Sequence, residues 1–192
     1  TLAPKADFAE LLDQVFRRSF QLATIVFFLV EGALVWALFR YRGRPGDAEP
    51  AQTHGNAMLE VVWTVIPAVI LVFIAIPTIQ TIFKTASVPT DDPLVIEVTG
   101  HQWWWEFRYP DGIVTANELH LPVGRPVSLR LQSADVIHSF WVPMLGGKRD
   151  LNPAVRRPEG DTNRHENWLH FTIREAGLYR GQCAEFCGQS HS

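Results

Sequence analysis

Two apolar runs constrain this chain more than anything else in it. From Phe20 to Phe39 twenty residues pass with Glu31 as the single ionisable side chain, and from Val61 to Phe83 there is none before Lys84. At about 1.5 Å per helical residue, each run is long enough to cross a hydrocarbon layer of about 30 Å. Pro67 and Pro77 fall inside the second run. Membrane helices tolerate proline where neighbouring helices, hydroxyl side chains or water re-satisfy the freed carbonyls. The alternative is a pair of long core helices in a soluble protein. Basic residues at the ends of both runs argue against it: Arg40, Arg42 and Arg44 after the first, Lys84 after the second. The expected anchor is a transmembrane hairpin over 19–85, with spans at about 19–41 and 59–83. Ahead of it, Phe8, Leu11, Leu12, Val15 and Phe16 fall near helical spacing among Asp7, Glu10, Asp13 and Gln14, which predicts an interfacial segment over 1–18. The start at Thr1 is compatible with a processed signal peptide. Two spans leave both termini on one side of the membrane. Basic residues do not decide which side, because Lys5, Arg17 and Arg18 balance the arginines of the connecting loop.

Beyond Pro93 helical runs give way to short alternations. Leu94–Thr99, His101–Tyr109, Val127–Leu131, Val136–Val142, Trp168–Ile173 and Leu178–Gly181 read as strands. Turn signals separate them at Pro110-Asp111-Gly112, Pro122-Val123-Gly124, Gly146-Gly147 and Glu175-Ala176-Gly177. Short strands at this spacing predict a β-sandwich or barrel over 86–192. The polar segment Arg156–Asn167 reads as a long loop. The net charge of -3 offers no electrostatic footprint for nucleic acid.

The chemistry is concentrated at the end of the chain. Cys183, Cys187 and His191 recur every four residues, so a compact loop can turn all three to one point. Two thiolates and an imidazole form a soft donor set that suits copper. The cysteine pair alone reads equally well as a local disulfide. Upstream, Asp135-Val136-Ile137-His138-Ser139-Phe140-Trp141-Val142-Pro143 sets one histidine at the end of an apolar strand. A lone histidine there is usually a satisfied core residue. Paired with the downstream Cys/His loop, it has the layout of a copper site built from an early strand and a last loop.

Two N-terminal spans, then Gly100-His101-Gln102-Trp103-Trp104-Trp105, then the His138 strand, then Gly181-Gln182-Cys183-Ala184-Glu185-Phe186-Cys187-Gly188-Gln189-Ser190-His191, together resemble subunit II of cytochrome c oxidase. The resemblance runs from the first span to the end of the chain. It implies a two-helix transmembrane hairpin followed by an all-β cupredoxin-like (Greek-key) barrel. It also implies a bacterial inner (cell) membrane, with the barrel on the periplasmic or outer side carrying the dinuclear copper centre CuA. By that resemblance Cys183 and Cys187 bridge two copper ions, and His138 and His191 each bind one. The Glu185 backbone carbonyl also reaches copper, while its carboxylate points to a magnesium or manganese (Mg or Mn) site shared with subunit I. The family's remaining ligand is a Met shortly after the last His. Met58 and Met144 stand elsewhere, so the expectation is a polypeptide that continues past Ser192 to that Met; some members of the family carry a fused cytochrome c domain beyond this point.

Further roles follow from the same resemblance. On a strand, Trp103 and Trp105 would share one face and Trp104 the other. Trp103, the first aromatic after His-Gln, would receive the electron from cytochrome c. Glu106, Asp111, Glu118 and Asp135 are the candidate acids for docking that donor, steering its approach by charge. Glu60, in Glu60-Val61-Val62-Trp63-Thr64-Val65-Ile66-Pro67, would open a proton pathway in subunit I. Lys148 and Asp150 would lie near the junction with that subunit. Glu31 has no family role; an acid at that depth faces protein or water, and packing against subunit I is its expected place. The 151–171 segment, longer than is usual in the family, is a candidate contact for an accessory subunit or the donor. The implied function is an electron-entry subunit of a proton-translocating oxidoreductase, passing electrons from cytochrome c to heme in subunit I, where oxygen is reduced. Two alternatives stand beside it. A quinol oxidase subunit II of this architecture lacks the copper ligands. A membrane-anchored copper-delivery protein has no need of Trp103 or Glu60.

Overall fold

The computed structural model describes residues 3–43, 45–49, 52, 54–89, 92–153, 166–189 and 191. The chain divides into two compact units, Gln14–Gln80 and Thr1–Asp13 with Thr81–Ser192.

The first unit is the helical hairpin, formed by most of α1 (Asp7–Arg40) and α2 (Ala57–Ala86). Both pass the length and composition test for crossing a membrane. Asn56 starts α2: its Oδ1 accepts from the Met58 and Leu59 amides at 3.1 and 3.2 Å, satisfying donors that a helix N-terminus otherwise leaves open. The hydroxyls of Thr64 and Thr78 donate to the carbonyls one turn back. That keeps them satisfied in an apolar surrounding. Glu31 lines a groove of about 470 Å³ between the two helices, against Val26, Phe27, Ile70 and Ile74. Arg44 of the connecting loop lies outside the described residues.

The second unit is the β domain. One sheet has the order β3-β2-β1-β4-β7, built from β1 (Leu94–His101), β2 (Trp104–Arg108), β3 (Val114–Ala116), β4 (Pro126–Ser133) and β7 (Asn167–Thr172). β1 and β4 run parallel; the other pairs are antiparallel. A second sheet has the order β6-β5-β8, from β5 (His138–Trp141), β6 (Arg149–Leu151) and β8 (Gln182–Cys183). Alternate residues of β1 and β4 point inward, and Ile96, Val98, Val127, Leu129 and Leu151 are fully buried with Phe107, Phe140, Leu169 and Phe171 around them. Each such aliphatic side chain contributes about 1.5–3 kcal/mol by leaving water.

The structure departs from the sequence reading in three places. Residues 7–18 carry no boundary with the first span; they are the first turns of one continuous α1. The leading residues dock on the β domain. Ala6 bridges Ile173, the Asp7 carboxylate accepts from the Thr172 amide at 2.8 Å, and buried Phe8 lies over Gly146 and Gly147. Second, His101–Tyr109 is not one strand. The chain reverses at Gln102 and Trp103, the two-residue turn of a β1–β2 hairpin in which His101 pairs with Trp104, and the Gln102 amide there donates to Asp135 at 2.7 Å. Trp103 therefore does not share a strand face with Trp105. Third, Leu178–Gly181 makes no ladder; the pairing strand is the next two residues, Gln182 and Cys183. Of the expected 156–167 loop only Glu166 and Asn167 are described; 154–165 of the 151–171 segment lie outside the described residues.

Candidate metal centre

Three chain segments meet at one point: the start of β5, the turn after β1, and the terminal loop that follows β8. Pairing of Phe140 with Cys183 and of Trp141 with Gln182 sets the first cysteine beside the His138 strand. The imidazole nitrogens of His138 and His191 and the sulfurs of Cys183 and Cys187 all lie within 4.8 Å of one another. The two Nδ1 atoms are 3.2 Å apart. The sulfurs are 3.8 Å apart, and both cysteines are free thiols, so the disulfide alternative fails. Cys187 Sγ stands 3.5 Å from His191 Nδ1, and Cys183 Sγ stands 3.9 Å from His138 Nδ1. The Glu185 carbonyl oxygen joins the group at 3.4 Å from Cys183 Sγ.

The site is half closed to water. His138 is fully buried, Cys187 is buried and Cys183 is half-buried. Trp105, itself buried, stacks on the His191 ring at 4.5 Å and meets the His138 ring edge at 5.8 Å. Burial and the adjacent Cys183 thiol push the Cys187 thiol up to about 11. A second thiolate therefore forms there only where a cation balances it. Burial and the neighbouring His138 hold the His191 imidazole below its ordinary value, against the opposing pull of Asp135 and the Trp104 carbonyl. A neutral imidazole is the form that ligates metal. Converging sulfur and nitrogen donors, unbonded thiols and suppressed imidazole charge all fit a soft metal ion.

The other expected residues fall out differently. The Trp103 indole is 44% exposed and donates Nε1–H to the Cys187 carbonyl at 3.2 Å, so one edge faces solvent and the other touches the loop that carries Cys187. Gly188, at φ +134°, leaves room for that indole. Of the docking acids, Glu118 is 80% exposed, with His120 3.6 Å away. The Asp111 carboxylate accepts from the Ile113 amide in a turn. Glu106 is ion-paired with Arg108 at 2.9 Å and approaches His101 at 3.7 Å. Asp135 faces inward, with Oδ1 2.8 Å from His138 Nε2. Burial works to raise its pKa, but hydrogen bonds from His138 and from the Gln102 and Val136 amides outweigh it and hold the carboxyl below its usual range. Glu60 is exposed in the first turn of α2. Lys148 Nζ lies 3.4 Å from the Ala184 carbonyl and 4.0 Å from the Glu185 carboxylate. Asp150 accepts from the buried Ser139 hydroxyl at 2.8 Å.

Sequence reasoning missed Gln102, whose side-chain amide donates to the Cys187 carbonyl at 2.8 Å. Its place in the Gly-His-Gln-Trp motif was the one available signal. The stacking role of Trp105 was also missed.

Two apolar helices and a β domain with a partly buried Cys/Cys/His/His cluster define a membrane-anchored protein whose cluster could hold a metal ion. Residues 4–81 match the family model for the cytochrome c oxidase subunit II transmembrane domain, and residues 112–192 match that for its periplasmic domain. Cytochrome c oxidase subunit 2 of Alkalihalophilus pseudofirmus is 43% identical over 183 residues, 89% of this chain and 50% of that protein. The Synechocystis protein of the same name is 32% identical over 237 residues, 99% of this chain and 68% of that protein. Quinol oxidase subunit 2 of Bacillus spizizenii is 35% identical, covering 88% of this chain and 53% of that protein. Among solved structures, the periplasmic domain of subunit II of Bradyrhizobium japonicum cytochrome oxidase is 31% identical at a TM-score of 0.45, covering 54% of this chain and 79% of that one. The chain belongs to the cytochrome c oxidase subunit II family. It is a membrane protein with its β domain on the outer side. It spans about half the length of the first of these relatives.

Proposed function

We propose that this chain is the electron-entry subunit of a respiratory cytochrome c oxidase in a bacterial inner membrane. The observation that carries the proposal is the pair of free thiols 3.8 Å apart beside two Nδ1 atoms 3.2 Å apart. Cys183, Cys187, His138, His191 and the Glu185 carbonyl would hold a dinuclear copper centre, which supplies one-electron redox chemistry with the charge shared between two ions. The chain's own residues brace that site and half close it to water. Trp105 stacks on His191, and the Cys187 carbonyl is fixed by both Gln102 and Trp103. The exposed edge of Trp103 offers the electron donor a flat aromatic contact that is one hydrogen bond from the ligand loop. Exposed Glu118 and Asp111 would steer a basic cytochrome c, more weakly as salt rises. The Glu185 carboxylate, 38% exposed and 4.0 Å from Lys148, is available to a magnesium or manganese ion shared with subunit I. Glu60 would serve proton entry to that subunit, where heme and oxygen chemistry reside.

Quinol oxidase relatives support a second reading, in which the donor is a quinol. The retained thiol pair favours the cytochrome c reading, since quinol oxidation has no use for it. Stopped-flow reduction of the copper-loaded chain by reduced cytochrome c distinguishes them. Rapid reduction, slowed at least tenfold in Trp103→Phe with the copper spectrum intact, is expected. Absence of any reduction by cytochrome c, with copper present, would overturn the proposal.

A further inference from the structure

Asp135 reads from sequence as a surface acid for docking a donor, but its carboxylate is committed elsewhere. Oδ1 meets His138 Nε2 at 2.8 Å, and Oδ2 accepts the Gln102 amide at 2.7 Å. Gln102 in turn donates its side-chain amide to the Cys187 carbonyl at 2.8 Å. One carboxylate thus joins the strand carrying a histidine ligand to the turn carrying Trp103, and through Gln102 to the cysteine loop. The bond to Nε2 has a chemical consequence. A carboxylate accepts and does not donate, so Nε2 carries the proton and the lone pair of His138 is confined to Nδ1. Nδ1 is the atom that faces His191 and the sulfurs. The Val136 amide donates to the same Oδ1 at 2.6 Å, and the Ser133 hydroxyl, which donates to the Val136 carbonyl, accepts from the Asp135 amide at 3.2 Å, so the carboxylate sits on a fixed turn.

We infer that Asp135, with Gln102, is a positioning residue of the metal centre: it selects the His138 tautomer that presents Nδ1 and ties that ligand to the electron-entry turn. This rests on the copper-centre reading above and deepens it. An exposed docking acid needs no such bonds, whereas carboxylate partners of metal-bound histidines fix ring orientation and raise ligand basicity. Outer partners of this kind typically contribute about 10- to 100-fold in metal affinity.

The test uses the full chain in detergent, titrated with copper against a competing chelator, with the electron paramagnetic resonance spectrum recorded at saturation. Asp135→Ala is expected to weaken copper binding about 10- to 100-fold and to change the copper hyperfine pattern. Asp135→Asn keeps the volume and one acceptor for His138 but turns a donor onto the Gln102 amide, so it is expected to fall between. It also guards against an unfolded Ala variant. Gln102→Ala is expected to alter the spectrum in the same direction. Wild-type affinity and an unchanged spectrum in both Asp135 variants, with slower reduction by cytochrome c alone, would overturn the positioning role and return Asp135 to docking. A wild-type chain that takes up no copper would overturn the copper-centre reading itself, a result distinct from the first.

Discussion

Adding one methyl group at Gly100 tests how tightly the fold holds the buried His138. Gly100 pairs with Trp105 and Ser133 across two neighbouring strands, and its open side faces the His138 ring. A Cβ built there meets His138 Cδ2 at 2.7 Å and Cγ at 2.9 Å, about 0.7 Å inside ordinary contact. The ring has little room to yield. It is fully buried, Asp135 holds Nε2 at 2.8 Å, and Trp105 stands edge-on at 5.8 Å. Overpacking of this kind costs about 1–3 kcal/mol. For a domain near a hundred residues that is a fall in Tm of roughly 4–24 °C. Functional groups need to be held to about 0.5 Å, so the displacement should also weaken copper binding by at least about tenfold. Gly112→Ala is the control. Nothing lies within 4 Å of its added Cβ, although its φ of +87° is unfavourable for alanine. It should lower Tm by straining that turn while leaving copper affinity untouched. Thermal unfolding and chelator competition on both variants measure the two effects. Gly100→Ala with wild-type copper affinity would refute the claim that the sheet pins His138.

Two further outcomes follow from residues away from the Cys/His cluster. His170 is buried against Ser128, and burial with the nearby Arg149 charge holds its imidazole below the ordinary 6.5. The unfolded chain then binds a proton the folded chain resists, so stability is full above about pH 6.5 and is lost as pH falls toward the folded value. Denaturant unfolding at about pH 7.5 and 5.5 should show that loss, reduced in His170→Gln; an unchanged slope in the variant would assign it to other groups. In the assembled oxidase, Glu60→Ala should lower turnover several-fold without altering electron entry, and undiminished proton-coupled turnover would remove Glu60 from the pathway.

What could be read from the residues was whatever is local. The two spans were legible because an apolar run of twenty residues has few other uses, and three members of the Cys/His cluster because Cys183, Cys187 and His191 repeat at one spacing, His138 joining them only by the resemblance. Neighbours set by tertiary contact were not legible. The amphipathic face of residues 7–16 announces an apolar surface without naming it, and Phe8 finds Gly146 and Gly147. Asp135 looks like any surface acid until the β1 turn brings Gln102 to it. β3 and β6, three residues each, are too short to show a period, and they exist because longer strands offer them an edge. Trp103 left the strand expected of it because it and Gln102 make the turn that reverses β1 into β2.

The central claim is that the two thiols and two imidazoles together hold a pair of copper ions sharing one charge. An electron paramagnetic resonance spectrum of the copper-loaded full chain tests it most directly. The predicted result is the hyperfine pattern of an electron shared equally between two copper nuclei, abolished in Cys187→Ser. A pattern from a single copper nucleus in the wild-type chain would contradict it.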